Sequence, residues 1–249
     1  MDEPLLRTVA LEKRFGAVQA TSDLSLEIAA GEVHALIGPN GAGKTTVIKQ
    51  LAGELAPDSG RILLAGEDIT ALPASRRAQL GLARSFQITS VFEQMSVREN
   101  LALAVQAHKG HSFRFWRSAA RDNALTGPTE AALERIGLEA RSELLAANLS
   151  YGEKRQLEVG MALAGEPRLL LLDEPMAGMG PGGTVKMTEL IQSLKGRLTM
   201  LLIEHDMNAV FSLADRITVL VYGAALATGT PDEIRGNAEV RRAYLGESE

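Results

Sequence analysis

Residues 38–46 read Gly38-Pro39-Asn40-Gly41-Ala42-Gly43-Lys44-Thr45-Thr46 and fill every position of the G-x-x-x-x-G-K-[ST] pattern. Three glycines in six residues let backbone N–H groups turn inward around phosphate oxygens, and a following helix adds the positive end of its dipole. The flanks agree with that reading. Val33–Ile37 is an apolar run of strand length, and Val47, Ile48 and Leu51 recur at helical spacing. Lys44 is suited to the β- and γ-phosphates of a nucleotide, and the Thr45 hydroxyl to Mg²⁺. All nine residues of the loop are therefore candidate nucleotide ligands, and a buried parallel strand feeding a helix commits the chain to an α/β core.

The rest of the chain extends this unit. Leu24, Leu26 and Ile28 alternate with polar residues as a half-buried strand does, and Ile62–Leu64 is a short strand among turn residues. A short helix is expected from about Ala74 to Leu80. Residues 97–164 read almost wholly helical, with apolar positions such as Ala131, Leu133, Ile136 and Leu138. Strands return at Leu169–Leu172, Leu198–Ile203 and Ile217–Val221, separated by helical stretches at 182–195 and 207–214. Strands and helices alternating on both sides of a helical block predict a parallel α/β core with a helical insertion.

Composition narrows the function. With 249 residues the chain is long enough for one large domain or a core with a subdomain. Its 26 basic and 31 acidic residues give a net charge of −5, which argues against a nucleic-acid partner. The absence of cysteine excludes disulfides and Cys-ligated metal sites. The opening stretch lacks the basic and apolar regions of a signal peptide, and the apolar runs fall far short of the roughly 18–20 residues that span a bilayer. The expected location is the cytosol.

A second acidic element follows Leu169–Leu172. A strand that ends in Asp173-Glu174-Pro175 delivers carboxylates to the sheet edge where such folds bind ligands. Asp173 is a candidate Mg²⁺ ligand, and Glu174 is placed to orient or deprotonate an attacking water.

Other residues give the family. Leu149-Ser150-Tyr151-Gly152-Glu153, before a helix expected to begin near Lys154, resembles the LSGGQ signature of ABC ATPases, with Tyr151 where glycine is usual and Glu153 where glutamine is usual. Read alone, Ser150 is equally an ordinary helix N-cap. Gln87 resembles the Q-loop glutamine that meets Mg²⁺, His205 the switch histidine that contacts the γ-phosphate, and Phe15 the aromatic that stacks on adenine. The resemblance covers residues 15–205. It implies a P-loop NTPase core of ABC type over 1–86 and 165–249, with an N-terminal antiparallel β part, and a helical signature subdomain over 87–164. It makes Lys44, Glu174 and His205 the catalytic residues, and Ser150, Gly152, Glu153 and Gln87 nucleotide contacts, with Gln87 also a metal contact. Each nucleotide in this family is sandwiched between the phosphate loop of one subunit and the signature of another. A second ABC ATPase subunit is thus implied, with ATP and Mg²⁺ in the interface.

Within the family, Arg84–Phe92, Asp173–Gly178, Glu204–Met207 and Ala225–Gly246 look like the ATP-binding subunits of branched-chain amino acid importers; importers of urea and other amides share much of this texture. The resemblance implies integral membrane permease subunits as partners, an external solute-binding protein indirectly, and a peripheral place on the cytoplasmic face of the inner membrane. A non-transport ABC ATPase that acts on ribosomes or DNA is the rival reading; a small-molecule kinase is disfavoured by the signature and His205. Two features stand apart. Gly180 occupies the D-loop place where Asp or Asn is usual, which predicts weakened coupling between the two sites. His108–Arg121 interleaves Phe113, Phe115 and Trp116 with Lys109, Arg114, Arg117 and Arg121, and is read as a helix burying its own aromatics or as a contact with permease or lipid headgroups; a His108/His111 metal pair is disfavoured for want of a third ligand.

Overall fold

The computed structural model describes residues 3–85, 91–108 and 123–245. In chain order the elements are β1 (Leu6–Phe15), β2 (Val18–Leu24), β3 (Glu27–Ile28), β4 (Val33–Ile37), α1 (Lys44–Ala52), β5 (Ser59–Leu64), β6 (Glu67–Asp68), α2 (Ala74–Gln79), β7 (Leu82–Arg84), α3 (Val97–His108), α4 (Asn123–Ile136) and α5 (Tyr151–Leu163). There follow β8 (Leu169–Asp173), α6 (Pro181–Leu194), β9 (Thr199–Ile203), α7 (Met207–Leu213), β10 (Arg216–Val221), β11 (Ala224–Gly229), α8 (Pro231–Gly236) and α9 (Ala238–Val240). They form two compact units: residues 1–82, 168–174 and 194–249, and residues 83–167 and 175–193.

The first unit contains two sheets. One is antiparallel, in the order β2-β1-β5-β6 with β3 also on β1. The other runs β11-β10-β4-β9-β8, parallel from β10 to β8, with β11 antiparallel on β10. Every residue of β4, β8 and β9 is buried, as expected of parallel strands covered on both faces. Leu36, Leu171, Leu201 and Ile203 join Val47, Ile48 and Leu51 of α1 and Leu6, Ile28 and Ile62 of the antiparallel sheet in one apolar core. A second cluster, around Ile37, Val210, Ile217 and Val219, seats α7.

A buried cation fixes the end of α1. Arg77, 1% exposed, donates to the carbonyls of Gln50 (2.7 Å), Leu51 (2.7 Å), Thr70 (2.9 Å) and Leu72 (2.9 Å). Gln50 and Leu51 lie in the last turn of α1, where helical donors run out; Gln50 also accepts from Gly53 N–H (3.2 Å).

The second unit is built on α3, α4 and α5. Leu101, Val105, Leu133, Ile136, Leu157 and Leu163 are its buried side chains. Gly160 makes the close approach: a Cβ there would stand 2.8 Å from Ile136 Cδ1.

Candidate nucleotide site

β4 ends at Ile37, so Gly38 opens the loop at the carboxyl edge of the parallel sheet, where α/β folds bind ligands. The loop that follows is pressed between two strands. A Cβ on Gly38 would lie 2.1 Å from the Leu220 carbonyl oxygen, and one on Gly43 would lie 2.0 Å from that of Ala20. Both residues also have positive φ, 151° and 105°, so only glycine fits. Ala42 N–H donates to the Pro39 carbonyl (3.1 Å), and Gly223 N–H donates to that of Ala42 (2.9 Å). α1 then starts at Lys44 with no side-chain cap and no acidic residue in its first turn. The N–H groups there face the loop unopposed, which is the arrangement that binds an anion.

Lys44 is 7% exposed and reaches back over this loop. Its Nζ donates to the Gly38 carbonyl (2.7 Å) and the Pro39 carbonyl (3.0 Å). Burial holds its pKa below the ordinary value, against the carboxylates of Glu174 and Asp173, which favour the charged form. An ammonium with three donors keeps one for a phosphate oxygen.

The acidic side of the site comes from the pairing of β8 with β9. Asp173, 2% exposed, pairs with Ile203, and Glu174 N–H donates to the Ile203 carbonyl (2.9 Å). This register brings the residues after the two strands together. Glu174 has φ +50°, an unusual conformation for a side-chain-bearing residue. His205 Nε2 lies 2.5 Å from Glu174 Oε1.

Thr45 is exposed in the first turn of α1. A hydroxyl and one or two carboxylates, with phosphate oxygens and water completing the shell, are the donor set that Mg²⁺ takes. Thr45 and Asp173 fit that set. Phe15 is 50% exposed at the end of β1, so it does not serve the core, and Lys13 Nζ stands 5.7 Å from its ring centroid. Gln87, and the stretch from Lys109 to Arg121 with its aromatics and His111, lie outside the described residues.

In the second unit, Ser150, Gly152 and Glu153 open α5. The helix begins at Tyr151, three residues earlier than expected, because Ser150 and Glu153 form a capping box. Glu153 N–H donates to Ser150 Oγ (3.3 Å), while Ser150 N–H and Oγ donate to Glu153 Oε2 (2.9 and 2.8 Å). Burial raises the Glu153 pKa, but the Ser150 hydrogen bonds, Arg141 and Lys186 outweigh it and hold the carboxyl below its ordinary value. Sequence reasoning missed the role of Tyr151. Its ring packs at Gly178, where a Cβ would lie 3.2 Å from Cε1, and carries the Arg155 guanidinium 5.6 Å from its centroid. An aromatic four residues before an arginine on one helix face is the signal for that pair.

Among the described residues no three His, Asp or Glu side chains form a metal-binding group, and no helix is long and apolar enough to cross a membrane.

Comparisons with known proteins give the family. Residues 21–177 match the family model for the ABC transporter domain, and residues 226–249 match that for the branched-chain amino acid ATP-binding cassette transporter. The chain is 43% identical over the full length of both proteins to the high-affinity branched-chain amino acid transport ATP-binding protein LivG of Escherichia coli. It is 40% identical, again over both full lengths, to BraF of Pseudomonas aeruginosa, which carries the same description. The lipopolysaccharide export system ATP-binding protein LptB of Haemophilus influenzae is 33% identical over 98% of each chain. Among solved structures, the ADP conformation of MJ1267, an ATP-binding cassette of an ABC transporter, superposes with a TM-score of 0.84 at 28% identity, covering 99% of this chain and 100% of that one.

Proposed function

Because the chain belongs to the ABC transporter family of ATP-binding proteins, we propose that it is the ATP-hydrolysing subunit of a membrane importer for branched-chain amino acids. The observation that carries the cargo class is the similarity of residues 226–249 to the branched-chain family model, joined to 43% identity with LivG over the whole chain. On this reading the protein sits on the cytoplasmic face of the inner membrane, held there by a pair of permease subunits. An external solute-binding protein would deliver the cargo to them. No nucleic acid takes part.

The chemistry follows from the chain's own residues. The loop from Gly38 to Thr46 wraps the phosphates with backbone N–H groups, and Lys44 turns its ammonium from the loop carbonyls toward the β- and γ-phosphates. Thr45 and Asp173, joined by Gln87 through family resemblance, would hold Mg²⁺, which would supply positive charge to the phosphate oxygens. Glu174 accepts a proton from the water that attacks the γ-phosphorus in line with the departing ADP oxygen. The P–O bond to ADP breaks as the bond to water forms, and inorganic phosphate leaves. His205, bonded to Glu174, holds that carboxylate in place and senses the γ-phosphate. Phe15 offers a half-exposed ring to adenine. Ser150, Gly152 and Glu153 receive the γ-phosphate of a nucleotide held by a second ATPase subunit, so hydrolysis removes part of the interface and opens it.

Glu174→Gln protein, tagged, trapped with ATP and recovered from gently solubilised membranes, tests the whole reading. Two permeases and a second ATPase subunit should co-purify. Recovery of ribosomes, nucleic acid or no membrane protein would overturn it.

A further inference from the structure

The first unit contains a cavity of about 270 Å³ that the nucleotide chemistry does not use. It is lined by β1, the chain at Ser25–Glu27, β10 and β11. Its size falls just under the roughly 300–1,000 Å³ of drug-sized ligand pockets, which suits a small metabolite.

The lining has three chemically distinct parts. Arg216 and Thr218 lie two residues apart on β10 and so share a face, and Thr218 pairs with Thr228 across the β10–β11 ladder. The Arg216 guanidinium acts electrostatically on Glu32 and Glu233, yet it donates no hydrogen bond among the described residues. The Thr hydroxyls, in contrast, are held in place. Thr218 Oγ1 lies 2.8 Å from Thr228 Oγ1 and 2.8 Å from His34 Nε2, and His34 Nδ1 lies 2.7 Å from Glu32 Oε1. His34 and Thr218 are fully buried, so this chain anchors the cavity wall to β4. A guanidinium with free donors is a bidentate partner for a carboxylate.

The lining also includes Glu27, 3.2 Å from Arg7, with both side chains more than half exposed. Such a pair is worth little and exchanges partners readily. Its carboxylate is an acceptor for an ammonium and repels a second negative charge. Thr8, Val9, Ser25 and Leu26 complete the lining; Leu26 is buried in the core, so the half-buried Val9 offers the apolar surface that inorganic phosphate cannot use.

We propose that this cavity, whose lining includes Arg216, Glu27 and Val9, binds a small aliphatic amino acid as its zwitterion. The carboxylate engages the Arg216 guanidinium, the ammonium engages Glu27, and the side chain rests on Val9. This binding is separate from whatever the transporter carries. It braces β10 against β4, the two strands whose ends place Leu220 and Gly38 at the phosphate loop.

Calorimetric titration of the nucleotide-free full chain tests this with L-leucine, isovalerate, isoamylamine and inorganic phosphate as probes. Leucine should bind saturably, isovalerate more weakly, and isoamylamine and phosphate not at all. Arg216→Gln should weaken leucine binding about tenfold or more, the loss of a charge-assisted contact. Glu27→Gln should leave leucine binding no better than isovalerate. Both side chains are exposed and outside the nucleotide site, so ATP binding should be unchanged and serves as the control for folding. Absence of saturable leucine binding at about 50 mM, far weaker than any useful affinity, would overturn the proposal. So would leucine binding that survives Arg216→Gln, or phosphate binding equal to leucine.

Discussion

His205 Nε2 stands 2.5 Å from Glu174 Oε1, although 31 residues separate them in the chain. The parallel register of β8 and β9 produces the contact, and it leaves the carboxylate fixed with one oxygen engaged. Glu174→Gln preserves the shape and the hydrogen bond but removes the base. Hydrolysis, followed by phosphate release, should fall by about 10²–10⁴-fold with ATP binding intact. His205→Ala should also lower turnover, because the carboxylate loses its support. Full activity in either variant would remove these residues from the mechanism.

Glycines of the phosphate loop differ in what a side chain would meet. At Gly43 a Cβ would strike the Ala20 carbonyl at 2.0 Å, whereas at Gly41, φ +80°, nothing lies within 4 Å. Gly43→Ala should abolish nucleotide binding. Gly41→Ala should cost only the left-handed backbone penalty, about 1–2 kcal/mol, and retain binding. Equilibrium binding of a fluorescent ATP analogue, with thermal unfolding alongside, separates the two.

Much of this site was legible in the sequence because its chemistry is local. A strand, a glycine loop and a helix occupy one stretch from Val33 to Ala52, and strand ends at Asp173 and Ile203 follow directly from apolar runs. Long-range relationships were not legible. Nothing in the sequence announces that Ala20 and Leu220 close on the loop, because backbone carbonyls carry no residue signature. The start of α5 was misplaced for a different reason: Ser150 and Glu153 satisfy each other's backbone groups, so the motif residues themselves begin the helix. The Glu32–His34–Thr218–Thr228 chain draws on three strands and leaves no pattern in any one of them.

The capping box also predicts a pH dependence. Glu153 is held below its ordinary value of 4.5, so at acidic pH the unfolded chain binds this proton before the folded one does. Its contribution to stability is complete above about that pH and is lost as pH falls through the lowered folded value. Glu153→Gln should therefore be less stable than the parent at pH 7, by about 1 kcal/mol for a weakened cap. The difference should shrink on acidification below 4.5. Urea midpoints measured across that range check the sign; a constant gap would refute it.

Arg77 illustrates a residue whose importance comes from burial and not from chemistry. Its replacement by Met keeps the aliphatic stem but leaves the carbonyls of Gln50, Leu51, Thr70 and Leu72 without this donor. Loss of a buried cation's hydrogen bonds should destabilise the first unit by about 3 kcal/mol or more. Chemical denaturation reports the loss, and nucleotide affinity of the remaining folded protein should change little.

Gly180 lies between Glu174 and α6, where the family usually places Asp or Asn. A Cβ there meets nothing within 4 Å, and its φ is not in the left-handed range, so Gly180→Asn should fold without cost. On the proposed function the missing side chain would face the second ATPase subunit, and its absence is expected to weaken communication between the two nucleotide sites. Gly180→Asn should therefore raise the Hill coefficient of ATP hydrolysis in the assembled transporter while leaving ATP binding by the isolated chain unchanged. An unchanged Hill coefficient would mean that this position does not limit coupling, and that the contacts around Tyr151 and Gly178 are the next place to look.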